Sequence, residues 1–221
     1  MSDITTARSS YVAHIPAQLE ADGVECLRGE RRLLKNLTLQ VGTGTCLLVQ
    51  GPNGSGKTSL LRILAGLTQP ADGCVRWKGQ PIKQLGDDYR NDLLYCGHHN
   101  ALKDELSAEE NLLAAAALSG TPVTIDAVRE ALHQAGLAGR ERLPVRVLSQ
   151  GQRRRASLAR LLLHYRPVWI LDEPFTALDT DAMQWLSALI DRHLALGGLT
   201  VLTSHQDISL ARGVRTLRLG V

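Results

Sequence analysis

Aromatic residues are scarce in this chain of 221 residues: one Phe, three Trp and four Tyr, 4% together. The core must therefore be aliphatic, and no row of rings is available for stacking the bases of a single-stranded nucleic acid. Charge of one sign is also lacking. Lys plus Arg number 25 and Asp plus Glu 22, a net charge of +3, too near balance to call for a polyanion. No nucleic-acid partner is expected. The four cysteines, Cys26, Cys46, Cys74 and Cys96, lie far apart with neither a C-x-x-C pair nor a metal-ligand spacing. Each sits among apolar residues and reads as a buried free thiol of a reducing cytoplasm, and no metal cluster is expected. No stretch approaches about 18 apolar residues, so the chain is not expected to span a membrane. Residues 1–21 lack the basic start and apolar run of a signal peptide and read as a polar N-terminal extension.

The remaining composition, 44% hydrophobic and 21% charged, is that of an ordinary globular protein. The length suits one domain with an inserted or appended lobe. Val24–Leu27, Leu37–Val41, Cys46–Gln50, Gly73–Trp77 and Asp92–Cys96 read as strands. A helical block follows from Ser107 to Leu148, including Ala108–Leu118 and Ile125–Ala135, and a further helix from Ser149 to about His164. Val168–Leu171 and Leu199–Thr203 read as strands flanking a helix over Ala182–Leu196. Strand and helix alternate at both ends of the chain with a helical block between. That pattern implies an α/β core with a mainly parallel sheet and an inserted helical lobe.

Three motifs carry chemistry. Gly51-Pro52-Asn53-Gly54-Ser55-Gly56-Lys57-Thr58, followed by Ser59, fits the phosphate-loop pattern G-x-x-x-x-G-K-[ST] between an expected strand and an expected helix. Its glycines let backbone N–H groups converge on phosphate oxygens, and the helix start adds its dipole. Lys57 reaches the β- and γ-phosphates as a compact charge. The Thr58 hydroxyl is a ligand for Mg²⁺. The apolar run Val168–Leu171 ends in Asp172-Glu173, at the carboxyl end of a strand, where ligands of parallel sheets sit. Asp172 is placed to hold Mg²⁺ through a water, and Glu173 to take a proton from the water attacking the γ-phosphate. Two solvated acids in a turn is the plainer reading of the same pair. Leu148-Ser149-Gln150-Gly151-Gln152 opens a helix with Ser149 as a good N-cap. The run Arg153–Arg155 that follows reads by default as a solvated face.

Leu148–Gln152 resembles the L-S-G-G-Q signature of the ABC ATPases. With the phosphate loop, Asp172-Glu173, Ala177-Leu178-Asp179 and His205, five motifs stand in that family's order, over about residues 22–221. The resemblance implies a P-loop NTPase fold: a RecA-like core with a mainly parallel sheet, an antiparallel β lobe near the N-terminus, and a helical subdomain at about residues 98–160. It implies ATP and Mg²⁺ as cofactors and a head-to-tail homodimer. There Ser149, Gly151 and Gln152 meet the nucleotide of the other subunit, Asp179 couples the two sites, and His205 contacts the γ-phosphate and steadies Glu173.

Two positions depart from the family pattern. Arg28-Gly29 stands where many relatives carry a ring that stacks on adenine, and a guanidinium plane can stack in its stead. His98 stands where a glutamine usually follows the strand entering the helical subdomain. Imidazole is a poor ligand for hard Mg²⁺, so His98 is expected to hold a water. Three readings of His98-His99 are open: a haem-ligating pair, a solvated pair, or a sensor of the γ-phosphate water and of a membrane partner. Gly97-His98, Ala101-Leu102-Lys103, Glu110-Asn111-Leu112 and the run from Trp169 to Asp179 resemble the ATP-binding subunits of cytochrome c maturation (Ccm) haem exporters. That implies a peripheral ATPase on the cytoplasmic face of a bacterial inner membrane, docked on separate integral membrane subunits of the Ccm type. An ATPase of another ABC importer or exporter is the alternative, and a soluble ABC ATPase a further one.

Overall fold

A computed structural model describes residues 17–29, 31–205 and 208–220. The extension expected over 1–21 falls mostly outside these residues, and its final stretch is not an extension. Strand β1 (Ala17–Arg28) already begins there, with Leu19 and Ala21 in the core.

Among the described residues, two sheets form. β1 pairs antiparallel with β2 (Arg31–Gly42) and with β4 (Asp72–Trp77), and β4 with the short β5 (Gln80–Pro81), in the order β2-β1-β4-β5. The second sheet is parallel. It is built from β3 (Cys46–Gln50), β6 (Leu93–Cys96), β7 (Val168–Leu171), β8 (Leu199–Thr203) and β9 (Arg215–Arg218), in the order β6-β7-β8-β3-β9. All four residues of β7 and all five of β8 are buried, as strands covered on both faces must be.

The two faces bury different helices. Successive side chains of a strand point to opposite sides. Thus Leu47, Val49, Val168, Ile170 and Val201 pack with helix α1 (Lys57–Leu64) and with the antiparallel sheet. Cys46, Leu48, Trp169, Leu171 and Leu202 pack with helix α7 (Thr180–Ala195). In α1 the buried Leu60, Leu61, Ile63 and Leu64 hold the phosphate-loop helix to the sheet, at about 2 kcal/mol for each fully buried side chain. The thiols are free, and Cys26, Cys46 and Cys96 are buried. Burial, aided by Asp191, pushes Cys46 up to about 12, so it stays an inert thiol.

Short helices α2 (Ile82–Leu85) and α3 (Asp87–Asp92) lead into β6. Between β6 and β7 lie α4 (Ala108–Leu118), α5 (Ile125–Gln134) and α6 (Gln150–Leu158), whose Leu112, Val128, Leu132 and Ala156 share a separate apolar core with Leu148 of the preceding loop. Ser107 opens α4 with a capping box, its Oγ accepting from Glu110 N–H at 3.1 Å while Glu110 Oε2 accepts from Ser107 N–H at 2.8 Å. Such caps contribute about 1 kcal/mol. The helix expected to run from Ser149 to about His164 instead ends at Leu158 and tightens into a 3-10 turn over Ala159–Leu162. Helix ends often tighten in this way. Tyr165-Arg166-Pro167 then carries the chain to β7.

Candidate functional site

The phosphate loop joins β3 to α1, and its backbone admits no bulkier residues. Gly51 has φ 154°, and a Cβ there would stand 2.6 Å from the Leu219 carbonyl oxygen and 2.7 Å from Ser55 Oγ. Gly56, with φ 97°, is the N-cap of α1 and offers the helix start no side chain, leaving the first-turn N–H groups for an anion. The Lys57 ammonium is tucked inside the loop, donating to the Gly51 carbonyl at 2.7 Å and the Pro52 carbonyl at 3.3 Å.

A cleft of about 400 Å³ opens over this loop. Arg28, Asn53, Gly54, Gly56, Lys57, Thr58, Ser59, His98, Asp172, Glu173 and His205 line it. These residues come from both sheets, so the fold gathers into one place what the chain spreads over 178 positions. Arg31 and Leu33 line it too, and neither is legible as a site residue, because nothing in the sequence shows that the β1–β2 hairpin overhangs the loop.

At the floor, Asp172 is 1% exposed. Its Oδ1 accepts from Thr203 Oγ1 at 2.7 Å, and its Oδ2 is buried with no partner among the described residues. A buried carboxylate oxygen with nothing to satisfy it is costly unless a cation or donor completes it. With the Thr58 hydroxyl in the same cleft, the donors are hard oxygens, the set Mg²⁺ takes. The residues present fit that ion.

Glu173 stands beside it with φ 50°, a left-handed backbone that costs an ordinary residue about 1–2 kcal/mol. Three bonds clamp it: its N–H donates to Thr203 Oγ1 at 2.8 Å, and its carbonyl accepts from Arg154 Nη2 at 2.8 Å and from Thr176 N–H at 3.2 Å. The twist turns the Glu173 side chain into the cleft, where Oε1 lies 3.3 Å from His205 Nε2.

The run Arg153–Arg155 is not the solvated face expected of it. Arg154 is 4% exposed and donates to five acceptors: Nε to the Pro174 carbonyl, Nη1 to the Gly97 carbonyl and Asn100 Oδ1, Nη2 to the carbonyls of Asp172 and Glu173. Burial pulls its guanidinium below its ordinary value, opposed by Cys96, Asp172 and Glu173, and an arginine remains charged throughout. Arg153 bonds the Leu148 and Arg146 carbonyls, and Arg155 the Gly136 carbonyl. Charge runs look solvated in sequence because backbone carbonyl acceptors carry no sequence signal.

Seven predicted site residues do not line the cleft: Gly51, Pro52 and Ser55 within the loop itself, and Ser149, Gly151, Gln152 and Asp179 away from it. Ser149 and Gln152 form a capping box at the start of α6, with bonds of 3.2 and 3.0 Å. Gly151 packs so closely that an added Cβ would meet the Ala177 carbonyl oxygen at 2.7 Å. Asp179 caps α7 by accepting from Ala182 N–H at 2.9 Å. Ser149 and Asp179 are exposed. His98 and His99 meet edge to face, with ring centroids 5.5 Å apart, which leaves no room for a flat macrocycle between them. That geometry disfavours the haem-ligating pair.

Comparison with known proteins decides the family. Residues 34–176 match the ABC transporter family. The chain belongs to it. Among curated relatives, the cytochrome c biogenesis ATP-binding export protein CcmA of Dechloromonas aromatica (strain RCB) is 55% identical over 203 residues, covering 91% of this chain and all of the relative. The protein of the same name from Pseudomonas aeruginosa is 54% identical over 202 residues, covering 91% and 99%. A putative ABC transporter ATP-binding protein from Pyrococcus furiosus superposes with a TM-score of 0.78 at 25% identity, covering 92% and 98% of the two chains. The dimeric, post-hydrolysis ATP-binding cassette MJ0796, bound to ADP and Pi, does so with a TM-score of 0.75 at 26% identity, covering 91% and 94%. As an ABC family member, the chain is an ATP-binding, ATP-hydrolysing transporter subunit. No helix among the described residues is long and apolar enough to cross a membrane.

Proposed function

We propose that this ATPase drives the transport step of c-type cytochrome biogenesis, as a homodimer docked on separate integral membrane subunits of the Ccm type. It would work at the cytoplasmic face of a bacterial inner membrane and serve the delivery of haem. What supports this assignment is the 55% identity that spans the whole length of a relative named for cytochrome c biogenesis and export.

The chemistry is assigned residue by residue. The backbone N–H groups of the 51–59 loop, other than at Pro52, which has none, and the Lys57 ammonium bind the triphosphate. Arg28 lies at the lip of the cleft and stacks on the base. Thr58 and Asp172 would hold Mg²⁺, which would supply neutralisation of the phosphate charge. Glu173 takes the proton of the attacking water, and His205, 3.3 Å away, orients Glu173 and donates to the γ-phosphate. His98 holds a water at the cleft wall. Ser149, Gly151 and Gln152, which do not line their own subunit's cleft, contact the γ-phosphate bound by the second copy, and Asp179 couples the two sites. One observation carries this reading: the loop's lysine, the orphaned Asp172 oxygen, Glu173 and His205 share one cleft.

Two variants test it. Lys57→Ala removes charge from the phosphates and should weaken ATP binding. Glu173→Gln keeps the shape and removes the base, so ATP should bind and persist, with the dimer favoured. Hydrolysis by Glu173→Gln at the wild-type rate would remove the base assignment. Failure of the wild-type gene to restore c-type cytochromes in a strain lacking the corresponding ATPase would remove the transport assignment.

A further inference from the structure

The five donors of the Arg154 guanidinium are all used, at 2.8–3.3 Å. Their acceptors lie on two segments that are distant in sequence from each other and from α6. One is the strand end Asp172-Glu173-Pro174, and the other is the loop from Gly97 to Asn100, which carries His98. Arg154 itself sits on α6, little more than one turn from Ser149, the cap that opens the signature helix. One buried side chain therefore ties together the base, the loop at the cleft wall and the helix expected to meet the second subunit's nucleotide.

The bond to Glu173 is the informative one. A left-handed glutamate persists only where its surroundings hold it. The Glu173 N–H is held by Thr203, and its carbonyl by Arg154 at 2.8 Å and by the Thr176 N–H of the same turn at 3.2 Å. Removing Arg154 takes away the shorter, charged bond to that carbonyl and the tie to a distant segment, leaving only the longer bond within the turn to hold the peptide that aims the carboxylate. Lysine cannot replace it: a single ammonium has three donors and no planar fork, and cannot reach five acceptors on two segments.

We propose that Arg154 is the positioning residue of the hydrolysis site: it fixes the backbone of Glu173 and makes the signature helix and the His98 loop move with it. This inference rests on the assignment of Glu173 as the base. Hydrogen bonds with rigid geometry at the reacting groups govern turnover more than ground-state binding, so the signature is a split between the two.

The test is steady-state ATPase kinetics with fluorescent-nucleotide binding and thermal melts on the full-length protein, comparing wild type, Arg154→Lys and Asn100→Ala. Wild-type hydrolysis and its loss in Glu173→Gln are measured first, so that failure of the base assignment shows separately. Arg154→Lys should lower kcat by about 30-fold or more while nucleotide affinity stays within about threefold. Asn100→Ala removes one acceptor and touches no nucleotide-binding group; it should lower kcat by about three- to tenfold with affinity unchanged. If Arg154→Lys fails to fold, the Asn100→Ala result decides. A kcat within twofold of wild type for the variants that fold, or a parallel fall of kcat, affinity and melting temperature, would overturn the proposal and leave Arg154 a packing residue.

Discussion

Thr203 and Asp172 share a hydrogen bond of 2.7 Å, with the hydroxyl donating and the carboxylate accepting, although 31 residues separate them in the chain. Both are buried. The same hydroxyl oxygen accepts the Glu173 N–H at 2.8 Å, so one threonine at the end of β8 orients the candidate metal ligand and one flank of the candidate base. The bond also fixes which carboxylate oxygen is spoken for, and leaves the other, Oδ2, buried with no partner among the described residues.

Thr203→Val keeps the shape and removes both bonds. The Glu173 N–H then loses its partner in a buried place, at a cost of about 1–3 kcal/mol. Asp172 is left free to rotate, so a higher Mg²⁺ concentration should be needed for half-maximal ATPase activity. Urea unfolding and an Mg²⁺ titration of activity check both, and Thr203→Ser should sit near wild type in each. An unchanged Mg²⁺ curve for Thr203→Val would separate Asp172 from the metal.

Gly151→Ala puts a Cβ 2.7 Å from the Ala177 carbonyl oxygen, well inside contact. The 172–179 segment or the start of α6 must give, at about 1–3 kcal/mol. Gly151 lies outside its own subunit's cleft, so nucleotide affinity should hold within about threefold while turnover falls at least tenfold or so. Equilibrium binding and turnover on the same preparation read the difference, and wild-type turnover would show that this contact is slack.

The contrast between Thr203 and Gly151 shows how far the sequence can be read. Gly151 belongs to a contiguous motif, and so does the phosphate loop, whose residues meet because they are neighbours in the chain. β3, β7 and β8 are legible to the residue, since a strand buried on both faces is a short unbroken apolar run. Thr203 and Arg154 are not legible, because each acts through partners 18 to 57 residues away, and four of those seven partner groups are backbone carbonyls. β9 escapes for a different reason. Arg215-Thr-Leu-Arg218 is mostly exposed and joins the sheet edge through main-chain bonds to β3, which leave no apolar run to read. The polar-looking Ala17–Ala21 reads as an extension because Gln18 and Glu20 break the apolar pattern, although their alternation with buried Leu19 and Ala21 is itself that of a half-buried strand.

His193 makes stability depend on pH. It is 3% exposed, lies flat on Trp169 with ring centroids 3.8 Å apart, and bonds the Leu199 carbonyl at 3.2 Å. Burial lowers it to about 4, against upward pulls from the backbone carbonyls of Leu199 and Pro167. A histidine depressed in the folded state takes its proton first in the unfolded chain. Its contribution is therefore whole above the ordinary value near 6.5 and is lost as the pH falls from about 6.5 to about 4. Between pH 7 and pH 5 that amounts to about 2 kcal/mol. His193→Phe keeps a ring against Trp169 and removes the titration, so its urea midpoint should change less over that range than the wild type's. Equal acid sensitivity of the two proteins would place the effect elsewhere.

The last prediction concerns the loop that Arg154 holds at both ends. Its Nη1 bonds the Gly97 carbonyl and Asn100 Oδ1, so the chain between them bows outward and presents His98, exposed, to the wall of the nucleotide cleft. A side chain that borders both the cleft and the outer surface suits a sensor better than a nucleotide anchor, because its removal costs the cleft no phosphate contact. His98→Gln restores a water-binding amide of similar reach and should keep ATPase activity. His98→Ala should bind ATP within about threefold of wild type yet fail to respond to the membrane subunits, seen as loss of their stimulation of ATPase activity and of c-type cytochrome assembly in cells. Normal assembly with His98→Ala would remove the sensor role. Haem bound by the wild type but not by His98→Ala, with a bis-imidazole spectrum, would show that the loop opens far enough to separate imidazole rings that here stand edge to face.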